Sequence, residues 1–474
     1  RVCRPAMRSF TRASRWARHL ARPGPAPPRH ARPCSGVVTY GIHDAQLLET
    51  LEHLSKQPTQ PRSLTELYKI GKCPEQRLEF AKFLHHELPI RISQRVMELT
   101  KLPCDLALRP GVGDVVRWYA QYARDFLAIK CPETLDDLPE FDKTCMNVFS
   151  NHTEIIVYIG LGVHDLRMEL GERYDIVQPE IDRVLNHFFM ARIGMRFLMQ
   201  HYLDSRENKE GFSGIIQEQM NPVKVCQAAA KDAVRLCRYH MVESPKVIVE
   251  GDENKVLTYV PMHFFYVLME ILKNALKATV DRHGDGGFGN SLLPHVRVRI
   301  VHGDEDVTIK VSDEGGGIKR SDLHRVWHYV YSTSAAGLGR SPYDVHRGRV
   351  SERGTTTGSH QAQTKSTDTT MSGYGVGLPL SRLYTRYFGG DLELKCMDGF
   401  GTDAWVYLHR LGTNCENLPT SVYASPSMSD SSYDEDTFEE VLGRSKLSRD
   451  EFMHLQSHLR LYRMQEGLTS YPPP

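Results

Sequence analysis

The sequence predicts a two-part α + α/β fold, an N-terminal four-helix-type bundle followed by an α/β sandwich. Three observations carry that expectation. From about Ser63 to Leu203, apolar residues recur at helical spacing with only short breaks. After roughly Ile215 the texture turns mixed, with strand-like runs set between helices. Between Ser332 and Ser372 the second part is interrupted by a stretch in which 20 of 41 residues are Ser, Thr or Gly, a composition that buries no core.

In chain order, residues 1–43 contain nine Arg and no Lys, Asp or Glu. Arg8, Arg12, Arg15 and Arg18 share one helical face, and a Pro-rich stretch near Pro23 to Pro33 follows. This reads as a mitochondrial transit peptide over residues 1–40, which is left out of the fold and addresses the chain to the mitochondrial matrix. A disordered basic tail is the plainer alternative. The remainder carries 50 basic and 58 acidic residues, a net charge of −8 that gives no reason to expect nucleic-acid binding. The longest uninterrupted apolar stretch, Ile155 to Val163, has 9 residues. That is about half of the ~18 needed by a spanning helix, so no membrane crossing is expected. Ten cysteines are scattered without a C-x-x-C pair or a zinc-like Cys/His spacing and read as reduced and structural.

Residues 41–215 form the expected bundle, with breaks at Leu102-Pro103 and Pro132. Its clearest helix runs from Pro179 to Leu203, with Ile181, Leu185, Phe188, Phe189 and Phe197 on one face. Residues 216–412 form the α/β part: a helix near Val223 to Met241, strands Lys246 to Val249 and Lys255 to Val260, and a helix from Met262 to about Asp281. A hairpin of His295 to Val301 and Val307 to Ser312 turns at Gly303-Asp304. A further helix begins after Gly377, and strands Asp391 to Lys395 and Asp403 to His409 close the domain. Residues 332–372 read as a lid or a disordered insertion, and residues 413–474 as a tail with an acidic run from Asp430 to Glu440.

Three clusters in the second part point to one nucleotide site. Glu270, Lys273, Asn274 and Lys277 place a carboxylate, an amide and two ammoniums on one helical face. Asp313-Glu314-Gly315-Gly316-Gly317 follows the hairpin, and Gly373-Tyr374-Gly375-Val376-Gly377-Leu378 opens a helix whose first amides can face phosphates. Each cluster alone has an ordinary reading as a solvated face, a turn or a tight connection. Their joint occurrence, in this order, is far harder to dismiss.

These clusters resemble the N, G1 and G2 boxes of the ATP-binding domain shared by histidine kinases, gyrase, Hsp90 and MutL, and Gly401-Thr402 resembles its last box. The resemblance implies that Asn274 holds Mg²⁺, that Asp313 takes the adenine amino group, and that the glycines wrap the phosphates. It also implies a nucleotide site drawn from the whole run Glu270, Ile271, Leu272, Lys273, Asn274, Ala275, Leu276, Lys277. Gly317, Ser332, Thr333, Gly373, Tyr374, Gly375, Val376, Gly377, Leu378 and Thr402 complete it.

Within that superfamily the chain is similar to mitochondrial pyruvate dehydrogenase kinases over about Ser63 to Arg410. The match is carried by Phe83-Leu84-x-x-Glu87-Leu88-Pro89-Ile90-Arg91, Trp118-Tyr119, Tyr331-Ser332-Thr333, Leu378-Pro379-Leu380-Ser381-Arg382 and Gly401-Thr402-Asp403-Ala404. The branched-chain ketoacid dehydrogenase kinases fit less well at Tyr331 to Ser334 and Leu383 to Tyr387. The resemblance implies a protein-serine kinase that phosphorylates the α subunit of the pyruvate decarboxylase component and so inactivates the complex. Glu270 would be the general base, His152 the residue that polarises it, and Tyr119, Arg192 and Arg196 part of a pocket for pyruvate-like ligands. Regulation by pyruvate, ADP or K⁺ and a homodimer are implied too. Trp stands only at 16, 118, 327 and 405, so the tail lacks the Asp-Trp pair by which the family docks on the lipoyl-bearing acetyltransferase core. The lid looks longer than the family's, and Lys277 stands where many members have Arg.

Two patterns are decoys. His86-Glu87-Leu88-Pro89 resembles a phosphoacceptor box but lies 188 residues before Asn274. Gly284-x-Gly286-x-x-Gly289 fits a dinucleotide fingerprint but follows a helix. No G-x-x-x-x-G-K-[ST], H-R-D or D-F-G occurs. An ATP-gated clamp of the Hsp90 or MutL kind remains the competing class, although those machines carry the nucleotide domain first. A binding module that has lost transfer is disfavoured by the retained Glu270, Asn274 and Asp313.

Overall fold

The computed structural model describes residues 42, 44–72, 76–152, 154–207, 209–284, 293–331 and 375–419. The expected transit peptide, the lid, most of the tail, and with them Ser332, Thr333, Gly373 and Tyr374, lie outside the described residues.

The first half is helical, as expected. Its helices are α1 (Ala45–Ser55), α2 (Leu64–Lys72), α3 (Arg77–Leu99), α4 (Val112–Ala128), α5 (Leu138–Asn151), α6 (Ile155–Leu170) and α7 (Tyr174–Asp204). The four-helix core is built from α3, α4, the successive pair α5 and α6, and α7. The apolar stretch beginning at Ile155 is α6, which buries Ile155, Ile159, Val163 and Leu166 inside the bundle. Among the described residues no helix is long and apolar enough to cross a membrane.

Two helices start earlier than the pattern predicts. Helix α1 precedes the expected helical stretch; Asp44 caps it by accepting from the Leu47 amide at 3.0 Å. Helix α7 begins five residues before Pro179. A proline so near a helix start removes only one backbone bond, to the carbonyl of Asp175, whose residue is exposed to water.

The second half contains β1 (Phe212–Ser213), β2 (Ile216–Met220), α8 (Pro222–Met241), β3 (Val247–Glu250), β4 (Leu257–Tyr259) and α9 (Pro261–His283). It continues with β5 (Val296–His302), β6 (Asp306–Ser312), α10 (Gly377–Arg386), β7 (Asp391–Met397) and β8 (Gly401–His409). The main sheet has the order β3-β5-β6-β8-β7, antiparallel except for the parallel pair β3 and β5. Val298 faces Val311 and Ile300 faces Ile309 across the hairpin, the register that the alternating pattern predicts. Helices α8, α9 and α10 cover one face of the sheet. Asn221 starts α8 by accepting from the Lys224 amide at 3.0 Å, with Pro222 in the first turn.

A small second sheet, β1-β2-β4, carries little sequence signal, because β1 and β2 are too short to show alternation. The expected boundary at 215/216 falls between its paired strands. Residues 413–419, expected as tail, pack back onto the bundle: Cys415 bridges to Ser63, and Glu416 is buried.

Candidate nucleotide site

Helix α9 presents its residues in two ways. Ile271, Leu272, Ala275 and Leu276 are core residues that fix the helix against α8 and the sheet, so their side chains serve the site from behind. Asn274 is exposed, and Glu270, one turn earlier, is partly exposed beside it. Lys273 is buried and turns back, its Nζ 2.6 Å from Glu270 Oε1. Lys277 pairs with Asp281 on its own helix. Of the two ammoniums expected on the nucleotide face, each is therefore bound to a carboxylate of α9.

The Asp313 turn lies between α9 and the turn joining β7 to β8. A Cβ at Gly315 would stand 2.5 Å from Ala278 Cβ and 3.0 Å from the Thr279 nitrogen, so only glycine allows this loop to rest on the helix. Gly317 adopts a φ of +72°, and a Cβ there would run into the carbonyl of Met397. Gly316 donates to the Phe400 carbonyl and Gly399 to that of Gly316, at 3.0 and 2.8 Å. Asp313 Oδ1 accepts from the amides of Gly315, at 2.8 Å, and Thr402, at 3.3 Å. Burial raises the Asp313 carboxyl above its ordinary range, opposed by those two amides. A half-buried carboxylate held by Oδ1 leaves Oδ2 for an amino donor such as adenine's.

The described end of the third cluster closes on the same helix. Gly375 has a φ of +71° and sits against the backbone of Tyr331, where a Cβ would be 2.6 Å from a carbonyl oxygen. Val376 is buried, and Gly377, with Leu378 next, begins α10. A Cβ at Gly377 would collide with the Glu270 carboxylate. The glycine loop and the candidate base are thus in contact, which places Glu270, Asn274, Asp313, Thr402 and Gly375–Leu378 around the open face of α9.

In the bundle, the expected polarising residue lies in the core. His152 is fully buried, and neither ring nitrogen has a hydrogen-bond partner. It stacks on Tyr119 at 5.3 Å and meets Tyr122 edge-on at 5.0 Å. The hydrogen bond by which His152 would polarise Glu270 is therefore not made. Burial, and then the nearby charges of Arg192 and Arg196, push its imidazole well below the usual range, so the ring is neutral.

Tyr119, Arg192 and Arg196, the other residues expected in the bundle, lie around His152. Arg192 donates to the His152 carbonyl at 2.6 Å, and Arg196 to that of Phe149 at 3.0 Å, its guanidinium 4.3 Å over the Phe149 ring. Burial and Arg192 lower Arg196 to about 10. Tyr119 is buried with its hydroxyl unpartnered. Two guanidiniums one turn apart on α7, each donating to a carbonyl, gather positive charge of the kind a small carboxylate would pair with.

Three residues that carry no sequence signature of function link this pocket to the base. Tyr266, one turn before Glu270, lies within electrostatic range of Glu270, Tyr384 and Arg192. Its ring is 4.9 Å from that of Tyr384, which is 4.8 Å from His263. Burial, then Arg196, lowers His263 to about 3. The spacing from Glu270 was the available signal for Tyr266; nothing in the sequence marked Tyr384 as its neighbour.

Mg²⁺ fits this donor set. Among the described residues no three His, Cys, Asp or Glu groups gather to hold a metal. A magnesium bound through one protein oxygen plus the phosphates needs no such cage, and Asn274 offers that oxygen on the open face.

A family model described as mitochondrial branched-chain alpha-ketoacid dehydrogenase kinase matches residues 61–219. A second, for histidine kinase-, DNA gyrase B- and HSP90-like ATPases, matches residues 259–411. A mitochondrial pyruvate dehydrogenase (acetyl-transferring) kinase of Arabidopsis thaliana is 37% identical over 363 residues, covering 75% of this chain and 92% of that protein. Its counterpart in Schizosaccharomyces pombe is 30% identical, covering 78% of this chain and 98% of that protein. The isozyme 3 kinase of Mus musculus is 32% identical, covering 78% and 86% respectively.

Proposed function

We propose that this chain, which belongs to the mitochondrial pyruvate dehydrogenase (acetyl-transferring) kinase family, phosphorylates a serine on the α subunit of the decarboxylase component of the pyruvate dehydrogenase complex and so inactivates it. It is an ATP-dependent kinase with a histidine-kinase-type nucleotide domain. The observation that carries the site assignment is the contact between Gly377 and Glu270, with Asn274 one turn along α9.

In this reading Asp313 selects adenine and the amides of Gly375–Leu378 face the phosphates. Asn274 holds Mg²⁺, which neutralises phosphate charge when bound. Glu270 accepts the proton of the substrate hydroxyl, a role worth roughly 10²–10⁴ in rate. Lys273 fixes the direction of that carboxylate. Tyr119, Arg192 and Arg196 take a pyruvate-like carboxylate, and Tyr266 stands between that pocket and the base. The matrix address, a homodimer, contact with the lipoyl-bearing core and K⁺ sensitivity belong to the same proposal.

The match of residues 61–219 to the branched-chain kinase description favours one second reading, in which the substrate is the branched-chain decarboxylase component. Transfer of labelled phosphate from Mg·ATP to each purified component decides between them. Serine labelling of the pyruvate component supports the proposal; labelling of the branched-chain component alone reassigns the substrate; ATP hydrolysis with neither labelled favours the clamp class.

A further inference from the structure

Residues 325–331, just before the lid, are fastened to three helices at once. Trp327 lies under Arg382 of α10, with the guanidinium 4.5 Å from the ring centre. His328 Nδ1 is 2.6 Å from Asp182 Oδ2 on α7. The Tyr329 amide donates to Asp182 Oδ1 at 3.2 Å, and its hydroxyl donates to Asn186 Oδ1 at 2.8 Å. Gln178, one turn before Asp182, donates to the same Oδ1 at 2.9 Å. Asp182 is buried, so its bonds to Gln178 and to the Tyr329 amide are shielded from water, while His328 is partly exposed.

The next residue carries the connection to the nucleotide loop. Val330 has a φ of +61°, which a β-branched residue adopts only when its surroundings impose it. Both its polar groups are held: the carbonyl accepts from Arg167 of α6 at 3.0 Å, and the amide donates to the Gly375 carbonyl at 3.0 Å. Val330 and Val376 also close over an apolar hollow lined by Ile159, Val163, Leu185 and Phe189 of α6 and α7. A continuous path of contacts runs from Asp182 through His328 and Tyr329 to Val330, then Gly375, then Gly377 against Glu270.

We propose that Asp182 is a positioning residue for the phosphate-facing loop: by holding His328 and the Tyr329 amide to α7, it fixes Gly375–Gly377 beside Glu270. The inference rests on reading Gly375–Gly377 as the loop that faces the phosphates. Helix α7 also carries Arg192 and Arg196, so the same rigid element joins the carboxylate pocket to the nucleotide loop.

The test uses the full chain with Asp182→Ala, His328→Asn and the double substitution, reading Mg·ATP affinity, KM, kcat and Tm. Each single change is expected to weaken Mg·ATP binding roughly ten-fold, the size of a lost charge-assisted hydrogen bond. kcat at saturation should change much less, and the double variant should be no weaker than the weaker single one. A fall in Tm with unchanged affinity would make the pair structural only and overturn the proposal, as would additive effects. If Asp182→Ala does not fold, the affinity of the partly exposed His328→Asn decides alone. Gly377→Ala is the separate control: unchanged binding and transfer there would sink the phosphate-loop reading itself, whatever Asp182 does.

Discussion

Lys273 Nζ lies 2.6 Å from Glu270 Oε1, one turn along α9, in a pair that is largely closed to solvent. The ammonium thus serves the candidate base rather than a phosphate. Glu270→Gln keeps the shape and removes the proton acceptor, so phosphoryl transfer should fall by roughly 10²–10⁴ while Mg·ATP binding persists. Lys273→Met should lower kcat more than it raises KM, because the carboxylate loses its orientation; single-turnover transfer separates the two effects.

Asn274 is exposed on α9. Asn274→Ala should therefore leave stability within about 0.5 kcal/mol of the parent. It should nonetheless remove the Mg²⁺ dependence of nucleotide binding, measured by calorimetry with and without the metal. Mg²⁺-dependent binding that survives intact in the variant would move the metal site elsewhere.

Burial holds Asp313 above the ordinary carboxylate range. In the nucleotide-free protein an acid with a raised pKa stabilises the fold most at low pH, and that contribution is lost as pH rises through the raised value. Nucleotide binding has the opposite sign, since an adenine amino donor requires the anion. Affinity should be full above the raised pKa and fall as pH is lowered through it, read by measuring binding at successively lower pH from neutrality downward. Asp313→Asn presents a donor where a donor arrives, so binding should weaken roughly ten-fold and lose this pH dependence.

Arg192 is buried and Arg196, one turn along the same helix and partly buried, lies within its electrostatic reach. A small carboxylate such as pyruvate should stabilise the protein, by about 2.7 kcal/mol at one hundred times its Kd. Arg192→Gln should abolish the ligand-induced rise in Tm, whatever it does to the baseline, and a differential scanning measurement reads that difference directly.

Glu416 is buried against Arg91 at 2.8 Å, accepts from Tyr387 at the end of α10 and from the Arg62 amide at 3.0 Å, while Glu87 bonds the same guanidinium at 2.8 Å. Removing one partner of a buried pair leaves an uncompensated charge, so Glu416→Ala should destabilise the protein by about 3–5 kcal/mol. A melting temperature unchanged by Glu416→Ala would show that residues 413–419 do not hold the bundle.

Sequence and structure agree where local pattern is sufficient. The hairpin register, the helix carrying Glu270 and the turn glycines are readable because strand alternation, helical spacing and positive φ are properties of neighbouring residues. They disagree where one atom must meet another from a distant part of the chain. No spacing in the sequence announced that the His152 ring would lie buried against Tyr119 and Tyr122 with neither nitrogen hydrogen-bonded. The helical face of Glu270, Lys273, Asn274 and Lys277 was legible, but not that both lysines turn to carboxylates, since rotamers follow from packing.

The amino-acid sequence by itself determined the two-part architecture, the nucleotide boxes and the family, because each rests on residue type at fixed short spacing. Only the tertiary structure decided that Gly377 touches Glu270, that Asp182 holds His328 and Tyr329, and that Glu416 closes on Arg91 across 325 positions. Those contacts depend on where helices come to rest after their apolar faces are buried. Hydrophobic burial is non-directional, so it fixes that a helix packs without announcing which polar atoms the packing will bring together.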